Sequence, residues 1–337
     1  MKSSKNIKIF IKYFLGPVLF CWLSYSIYTQ IRRQPDLAAS WQHIRSSLHS
    51  AMIWNVVAVL LLMVANWATE AVKWRIAVRR VQQVSFFTAF KAVLSGVSFS
   101  VSTPNRVGEY LGRILYMKDG NRLKAISLTI ACSISQLIVT LAMGLIGLLV
   151  LRRPIENSQM LSPVWTEVMI YGVLAVLIIL TLFYFRISWL VKWVDRLPGS
   201  RRFAWLIEVL EEFNATLLLQ LLSLSVLRFL IFIIQYYLLF RLFDVQISLA
   251  QGWWAVSVAF LIMAVIPTIA LFTDLGLRGQ VNLKLIGIFS NNQLGIGLTS
   301  VSVWFINLII PALAGSLLIL GIKKLAENKD KPPPKTL

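Results

Sequence analysis

The sequence predicts an all-α polytopic integral membrane protein, and three observations carry that expectation. Of 337 residues, 58% are hydrophobic and 14% charged, where a soluble domain has about 45–50% and about 25%. The apolar residues gather into stretches of about 20, the length at which a helix crosses a bilayer core. The 33 Lys and Arg, against 14 acids, collect in the segments between those stretches, as loops facing the cytoplasm do. A net charge of +19 also suits a nucleic-acid binder. Sidedness and attraction to anionic headgroups, about 1 kcal/mol per cation near the surface, account for it without one, so no nucleic-acid partner is expected.

Taken in order, the first span is 8–28, preceded by Lys2 and Lys5. No small-residue cleavage site follows it, so it is read as a retained helix rather than a signal peptide. With the N-terminus inside, the 29–50 segment is external, and a second span, 51–72, returns the chain to Lys73, Arg75, Arg79 and Arg80. Glu70 and Lys73 read as an interfacial pair at that helix end. The apolar stretch 85–103 decides the topology. A full crossing would place Arg106, Arg113, Lys118, Arg122 and Lys124 outside, against the positive-inside bias. A re-entrant hairpin turning at Pro104 keeps them inside, and irregular backbone at membrane depth is tolerated where protein or a water-filled cavity surrounds it.

Spans 125–151, 165–186, 222–241 and 296–321 follow, giving about six in all. The last must end inside, because Lys323, Lys324, Lys329, Lys331 and Lys335 come after it. Residues 251–291 therefore begin and end outside, as a second hairpin or as two crossings. The stretch 281–290 is short and carries Lys284, which favours the hairpin. The two halves, 8–151 and 165–321, then carry oppositely facing hairpins in the layout of an inverted repeat. Interrupted helices of such repeats meet near the midplane and form a substrate site. Residues 1–322 are expected to form one membrane domain and 323–337 a basic, Pro-rich cytoplasmic tail.

The first hairpin runs Pro104, Glu109, Gly112, Arg113; the second runs Pro267, Asp274, Gly276, Arg278. Ionisable residues within membrane segments are costly and usually functional. Candidate substrate-binding residues are therefore Thr103, Pro104, Arg106, Gly108, Glu109 and Arg113 in the first hairpin and Asp274 and Arg278 in the second. A helix restarting near Asn105 would offer amides to an anion, and arginines would add bidentate partners for phosphate oxygens. Both acid–arginine pairs are spaced i,i+4, which equally suits simple helix pairing. Arg228, inside span 222–241, is a further candidate, weighed against snorkelling to the cytoplasmic interface. Trp41, Trp54, Trp74, Trp165, Trp189 and Trp253 lie near span ends and read as interfacial anchors. Cys21 and Cys132 read as packed thiols. His43 and His49 are the only histidines, and no nucleophile-elbow, P-loop or dinucleotide pattern occurs. No metal or cofactor is expected, and the chain is not expected to be an enzyme.

The segment "TPNRVGEYLGRILY" resembles the transmembrane domain of the lysylphosphatidylglycerol synthase/flippase family. That family has a Thr-Pro-Gly-x-x-Gly-Glu-like motif followed by an arginine and an apolar run. Thr103, Pro104, Gly108, Glu109 and Arg113 match it, and Asn105 stands where glycine is usual. "IPTIALFTDLGLRG" is similar to the family's later hairpin, with fewer glycines. The resemblance extends from about residue 10 to 322. Relatives that synthesise aminoacyl-lipids carry a further soluble domain, which this sequence lacks before Leu337. The resemblance therefore implies a stand-alone flippase-like module of the plasma (inner) membrane, both termini cytoplasmic, moving an anionic phospholipid or lipid-linked sugar. In that picture Arg106 and Arg113 hold phosphate while Glu109 and Asp274 tune the charge. The alternatives are a membrane-embedded transferase acting on lipid-linked substrates and a non-catalytic accessory subunit. The expected partners are membrane lipids, with a homo-oligomer or a partner enzyme left open.

Overall fold

The computed structural model of the chain describes residues 53–101, 103, 107–186, 213–266 and 271–329. Eleven α-helices run through them. The first four are α1 (Ile53–Val78), α2 (Phe86–Ser100), α3 (Gly108–Ile114) and, after a 3-10 turn, α4 (Arg122–Val150). A short α5 (Arg152–Asn157) leads to α6 (Pro163–Phe185). Then come α7 (Ala215–Leu242), α8 (Leu249–Val265), α9 (Leu271–Ile286), α10 (Gln293–Trp304) and α11 (Ile310–Lys329). Residues Phe305–Ile309 join the last two as a π-helical turn, so α10 and α11 form one interrupted rod. The chain is a multi-pass, all-helical membrane protein, with no strand among the described residues. Five helical stretches there are long and apolar enough to cross a bilayer: Ile53–Val78, Asp119–Val150, Pro163–Phe185, Ala215–Leu242 and Gln293–Leu320. The expected span at 8–28, Cys21 and Trp41 lie outside the described residues, as does Trp189.

Local chemistry explains where the helices begin. Ser85, Ser162, Asn214, Ser248 and Asn292 sit at N-cap positions, each accepting a bond from a first-turn amide, which satisfies a donor that the helix leaves unpaired. Ser248 and Gln251 form a reciprocal capping box. At the start of α5, Arg152 bridges Glu156 at 3.0 Å and Glu167 at 2.8 Å, tying α5 to the start of α6.

The helices of 15 to 17 residues, α2, α8 and α9, are shorter than a bilayer crossing needs. They fall where the sequence suggested hairpins. Helix α3, separated from the end of α2 by seven residues, packs back against it. A Cβ on Gly112 would lie 2.3 Å from the Gly96 nitrogen, so the arms approach more closely than any side chain permits. Close backbone approach of this kind is how helices pack where lipid tails remove the hydrophobic drive to associate.

Packing between the halves is reciprocal. Helix α1 packs along α7, α4 along α8, and α2 along α11. The last two contacts correspond if each long–short–short–long series is superposed on the other. Both rest on a glycine: Gly144 of α4 abuts Leu261 of α8, and Gly315 of α11 abuts the Leu94 carbonyl of α2. The two largest apolar cores among the described residues lie around α4, α7, α8 and α10 and around α1, α2 and α11.

The tryptophans divide. Trp54 and Trp165 are exposed, as interfacial anchors are. Trp74, expected to be another, is buried, and its indole N–H donates to Thr129 Oγ1 at 3.0 Å. Helix α1 continues six residues beyond the expected end of its span, to Val78, which carries Trp74 into the bundle. Cys132 is a buried free thiol.

Substituting Gly112→Val should drive α2 and α3 apart, and the purified protein should lose its monodisperse peak in detergent size-exclusion chromatography. Gly120→Ala, where an added Cβ meets nothing within 4 Å, should elute as wild type.

Candidate functional site

Helix α1 is apolar around most of its circumference, yet Asn66, Trp67, Glu70, Lys73 and Trp74 follow one another at helical i,i+3 and i,i+4 steps and are all buried. That polar stripe faces the bundle and organises the site. Glu70 Oε1 accepts from Arg113 Nη2 of α3 at 2.8 Å, and Oε2 accepts from Lys73 Nζ at 2.8 Å and from Arg228 Nη1 of α7. Arg113 Nη2 also donates to Glu109 one turn earlier. Arg228 Nε donates to Asn66 Oδ1 at 2.9 Å, and its guanidinium lies 5.4 Å from the Trp67 ring centroid. Lys73 reaches Ser225 Oγ at 3.3 Å, which is itself 2.9 Å from Ser135 Oγ of α4. One carboxylate thus joins three chain segments far apart in sequence.

Two expectations are corrected here. Glu70 and Lys73 are not an interfacial pair at a helix end. Both are buried, because α1 extends past them and the hairpin covers them. Arg228 does not snorkel to the cytoplasmic interface; its side chain turns inward to Asn66 and Glu70, where a fixed carboxylate replaces hydration.

A second polar group stands on α9. Asp274, Arg278 and Asn282 follow at i,i+4 spacing on one face. Arg278 donates to Asp274 Oδ2 at 3.5 Å and to the Tyr236 hydroxyl of α7 at 3.4 Å. Asn282 Nδ2 donates to Ser300 Oγ of α10 at 2.8 Å. Helix α7 therefore carries a partner for each ionic group, Arg228 for the first and Tyr236 for the second.

Between these groups lies a cavity of about 460 Å³. Glu70, Lys73, Glu109, Arg228, Asp274 and Arg278 all line it, together with Val101 and Thr103 after α2 and Met263 and Ala264 near the end of α8. Aromatic rings of α7 and α8 form part of the apolar wall: Phe260 meets Phe229 at 5.9 Å and Phe232 at 5.7 Å, edge to face. The ends of both short-helix pairs thus open onto one space.

Of the sequence candidates, Thr103, Glu109, Asp274, Arg278 and Arg228 line the cavity. Thr103 also closes the turn: its Oγ1 accepts from Gly108 N at 2.7 Å and donates to Phe99 O at 3.2 Å. The first amide of α3 is consequently occupied rather than offered to an anion. Gly108 is pressed so closely on Phe99 that a Cβ would fall 2.2 Å from its carbonyl oxygen. Arg113 is fully buried between two carboxylates and does not face the cavity. It braces the wall where the sequence suggested a ligand contact. Pro104 and Arg106 lie outside the described residues. Asn66, Tyr236 and Asn282 are not among the sequence candidates, and Glu70 and Lys73 read there only as an interfacial pair; their helical spacing is the available signal. Among the described residues no group of three His, Cys, Asp or Glu is arranged to hold a metal ion.

The family model described as the lysylphosphatidylglycerol synthase TM region matches residues 15–315. The chain belongs to that family. The match takes in both ionic groups and every helix that lines the cavity. No curated protein matches the chain. Membership in the lysylphosphatidylglycerol synthase transmembrane family makes this a membrane protein of a lipid-related pathway.

Removing one member of a buried ionic group while leaving its partners charged costs about 3–5 kcal/mol. Glu70→Ala, which strands Lys73, Arg113 and Arg228, should lower the thermal unfolding midpoint in detergent markedly. The double variant Glu70→Gln with Lys73→Met, which removes a cation along with the acid, should recover part of that loss.

Proposed function

We propose that this protein carries a phosphate-bearing lipid, an anionic phospholipid or a lipid-linked intermediate, between the leaflets of the plasma (inner) membrane without altering it covalently. The observation that carries this reading is a single cavity, within a bundle of membrane helices, lined by ionic side chains from both short-helix pairs. In the proposal, α2–α3 and α8–α9 are re-entrant hairpins entering from opposite faces, both termini are cytoplasmic, and the two halves form an inverted repeat. The reciprocal packing of α4 on α8 and α2 on α11 supports that symmetry. A headgroup leaving water must exchange its hydration for fixed partners, because an uncompensated charge in a low-dielectric interior is prohibitive. Arg228 and Arg278, which line the cavity, supply guanidinium donors for phosphate oxygens. Arg113 and Glu70 hold the wall in register, and the acyl chains remain in lipid.

The reading is tested by reconstituting the purified full chain into liposomes and following leaflet exchange of acyl-labelled phospholipids. A hydrogen bond to a charged group is worth about 1.5–3 kcal/mol, so Arg228→Gln and Arg278→Gln should each slow exchange by about tenfold or more. Exchange equal to wild type in both variants, or none above protein-free liposomes in wild type, would overturn the proposal.

A further inference from the structure

The ionic side chains at and behind the cavity wall fall into two tiers. Lys73, Arg113 and Glu70 form the inner tier, their side chains 1%, 2% and 4% exposed. The outer tier is reachable from the cavity: Arg228 is 11% exposed, Arg278 17%, Glu109 21% and Asp274 23%. Among the described residues the accessible charges are thus two guanidiniums and two carboxylates, which cancel, and the carboxylates are the more exposed of the four. A surface shaped for a simple anion would present cations and withdraw its acids, since a carboxylate facing a phosphate is a like-charge contact that costs several kcal/mol. Here the acids are presented. Each of the two ionic groups supplies one of each sign, Glu109 of α3 with Arg228 of α7 in the first and Asp274 with Arg278 of α9 in the second.

We infer that the headgroup taken into this cavity is zwitterionic, with one phosphodiester anion and one primary ammonium group. The inference rests on the transport of a phosphate-bearing lipid and, within that reading, sets a zwitterionic headgroup in place of a purely anionic one. The phosphate oxygens accept from Arg228 and Arg278, and the ammonium N–H groups donate to Glu109 and Asp274. Glu109 is already paired with Arg113, Asp274 with Arg278 and Arg228 with Glu70, so a headgroup carrying both signs can exchange into these pairs without stranding a charge of either sign. The Phe229, Phe232 and Phe260 rings on the same wall are compatible with an ammonium, which the negative ring face attracts, and offer nothing to a second phosphate. A headgroup with two phosphates, or with one and no cation, sets negative charge against Glu109 or Asp274.

The test uses the full chain in liposomes with acyl-labelled phosphatidylethanolamine, phosphatidylglycerol and phosphatidylcholine, each read by dithionite protection. Phosphatidylethanolamine is expected to exchange about tenfold faster than phosphatidylglycerol, the ratio set by about 1.4 kcal/mol. Phosphatidylcholine, whose quaternary nitrogen donates no hydrogen bond, is expected to lag behind phosphatidylethanolamine. Glu109→Gln and Asp274→Asn should each pull the ethanolamine-to-glycerol ratio towards one, and Arg152→Gln, at the start of α5 and away from the cavity lining, should leave it unchanged. Phosphatidylglycerol moving as fast as phosphatidylethanolamine overturns the zwitterion inference and leaves transport standing; choline keeping pace with ethanolamine overturns the primary-ammonium assignment. If no lipid moves, the transport reading falls, and native mass spectrometry of the purified chain with the three lipids decides the headgroup. Preferential retention of phosphatidylethanolamine that disappears in Glu109→Gln supports the inference, and equal retention of all three overturns it.

Discussion

A carboxylate shared by three cations inside an apolar bundle is the constraint around which this protein is arranged. Glu70 on α1 accepts from Lys73 of its own helix, from Arg113 of the short helix α3 and from Arg228 of α7. None of these four charges is tolerable alone at such depth, because desolvation of a single ion exceeds what the surrounding apolar contacts return. Each becomes tolerable only when the other helices are in place. The cluster therefore acts as a specification as much as a source of stability: an arrangement of α1, α3 and α7 that misaligns them strands a charge. Apolar packing between membrane helices has little of that selectivity, since lipid is as good a neighbour as leucine.

The close contact of Gly112 with Gly96 belongs to the same logic. Arg113 follows Gly112 directly, so the separation of the hairpin arms sets how far its guanidinium reaches towards α1. A wider hairpin would withdraw Arg113 from Glu70 and leave an acid facing two remaining cations. Thr103 secures the other end of the turn by taking the Gly108 amide. Backbone approach, turn closure and ionic contact are thus one geometric requirement met at three places between Gly96 and Arg113.

Much of the fold was legible because the bilayer imposes a length on every crossing. Block lengths located the expected spans that fall among the described residues, and charge parity singled out 85–103 and 251–272, where the short helices α2 and α8 lie. The site was legible only in part. Glu109, Arg113, Asp274 and Arg278 drew notice because they sit beside prolines and glycines, where a break in a helix is visible in the sequence. Glu70 and Lys73 were assigned to an interface because they fall at the end of a hydropathy window. Hydropathy marks where an apolar run stops, whereas α1 continues as a helix to Val78 under cover of its neighbours. The periodic stripe from Asn66 to Trp74 held the missing information, but a stripe says which face is polar and not which distant helix will meet it.

The π-helical turn at Phe305–Ile309 has a consequence for how the final rod can change over time. Its two halves serve different neighbours: Ser300, before the turn, bonds Asn282 of α9, and Gly315, after it, abuts Leu94 of α2. One residue corresponds to about 100° of rotation in an α-helix. Deleting a single residue from the turn would re-phase α11 against α10 by roughly that angle while leaving the hydropathy of the rod untouched. The last crossing is accordingly held by its residue count: a one-residue indel there exchanges partners, a change that no measure of greasiness would register.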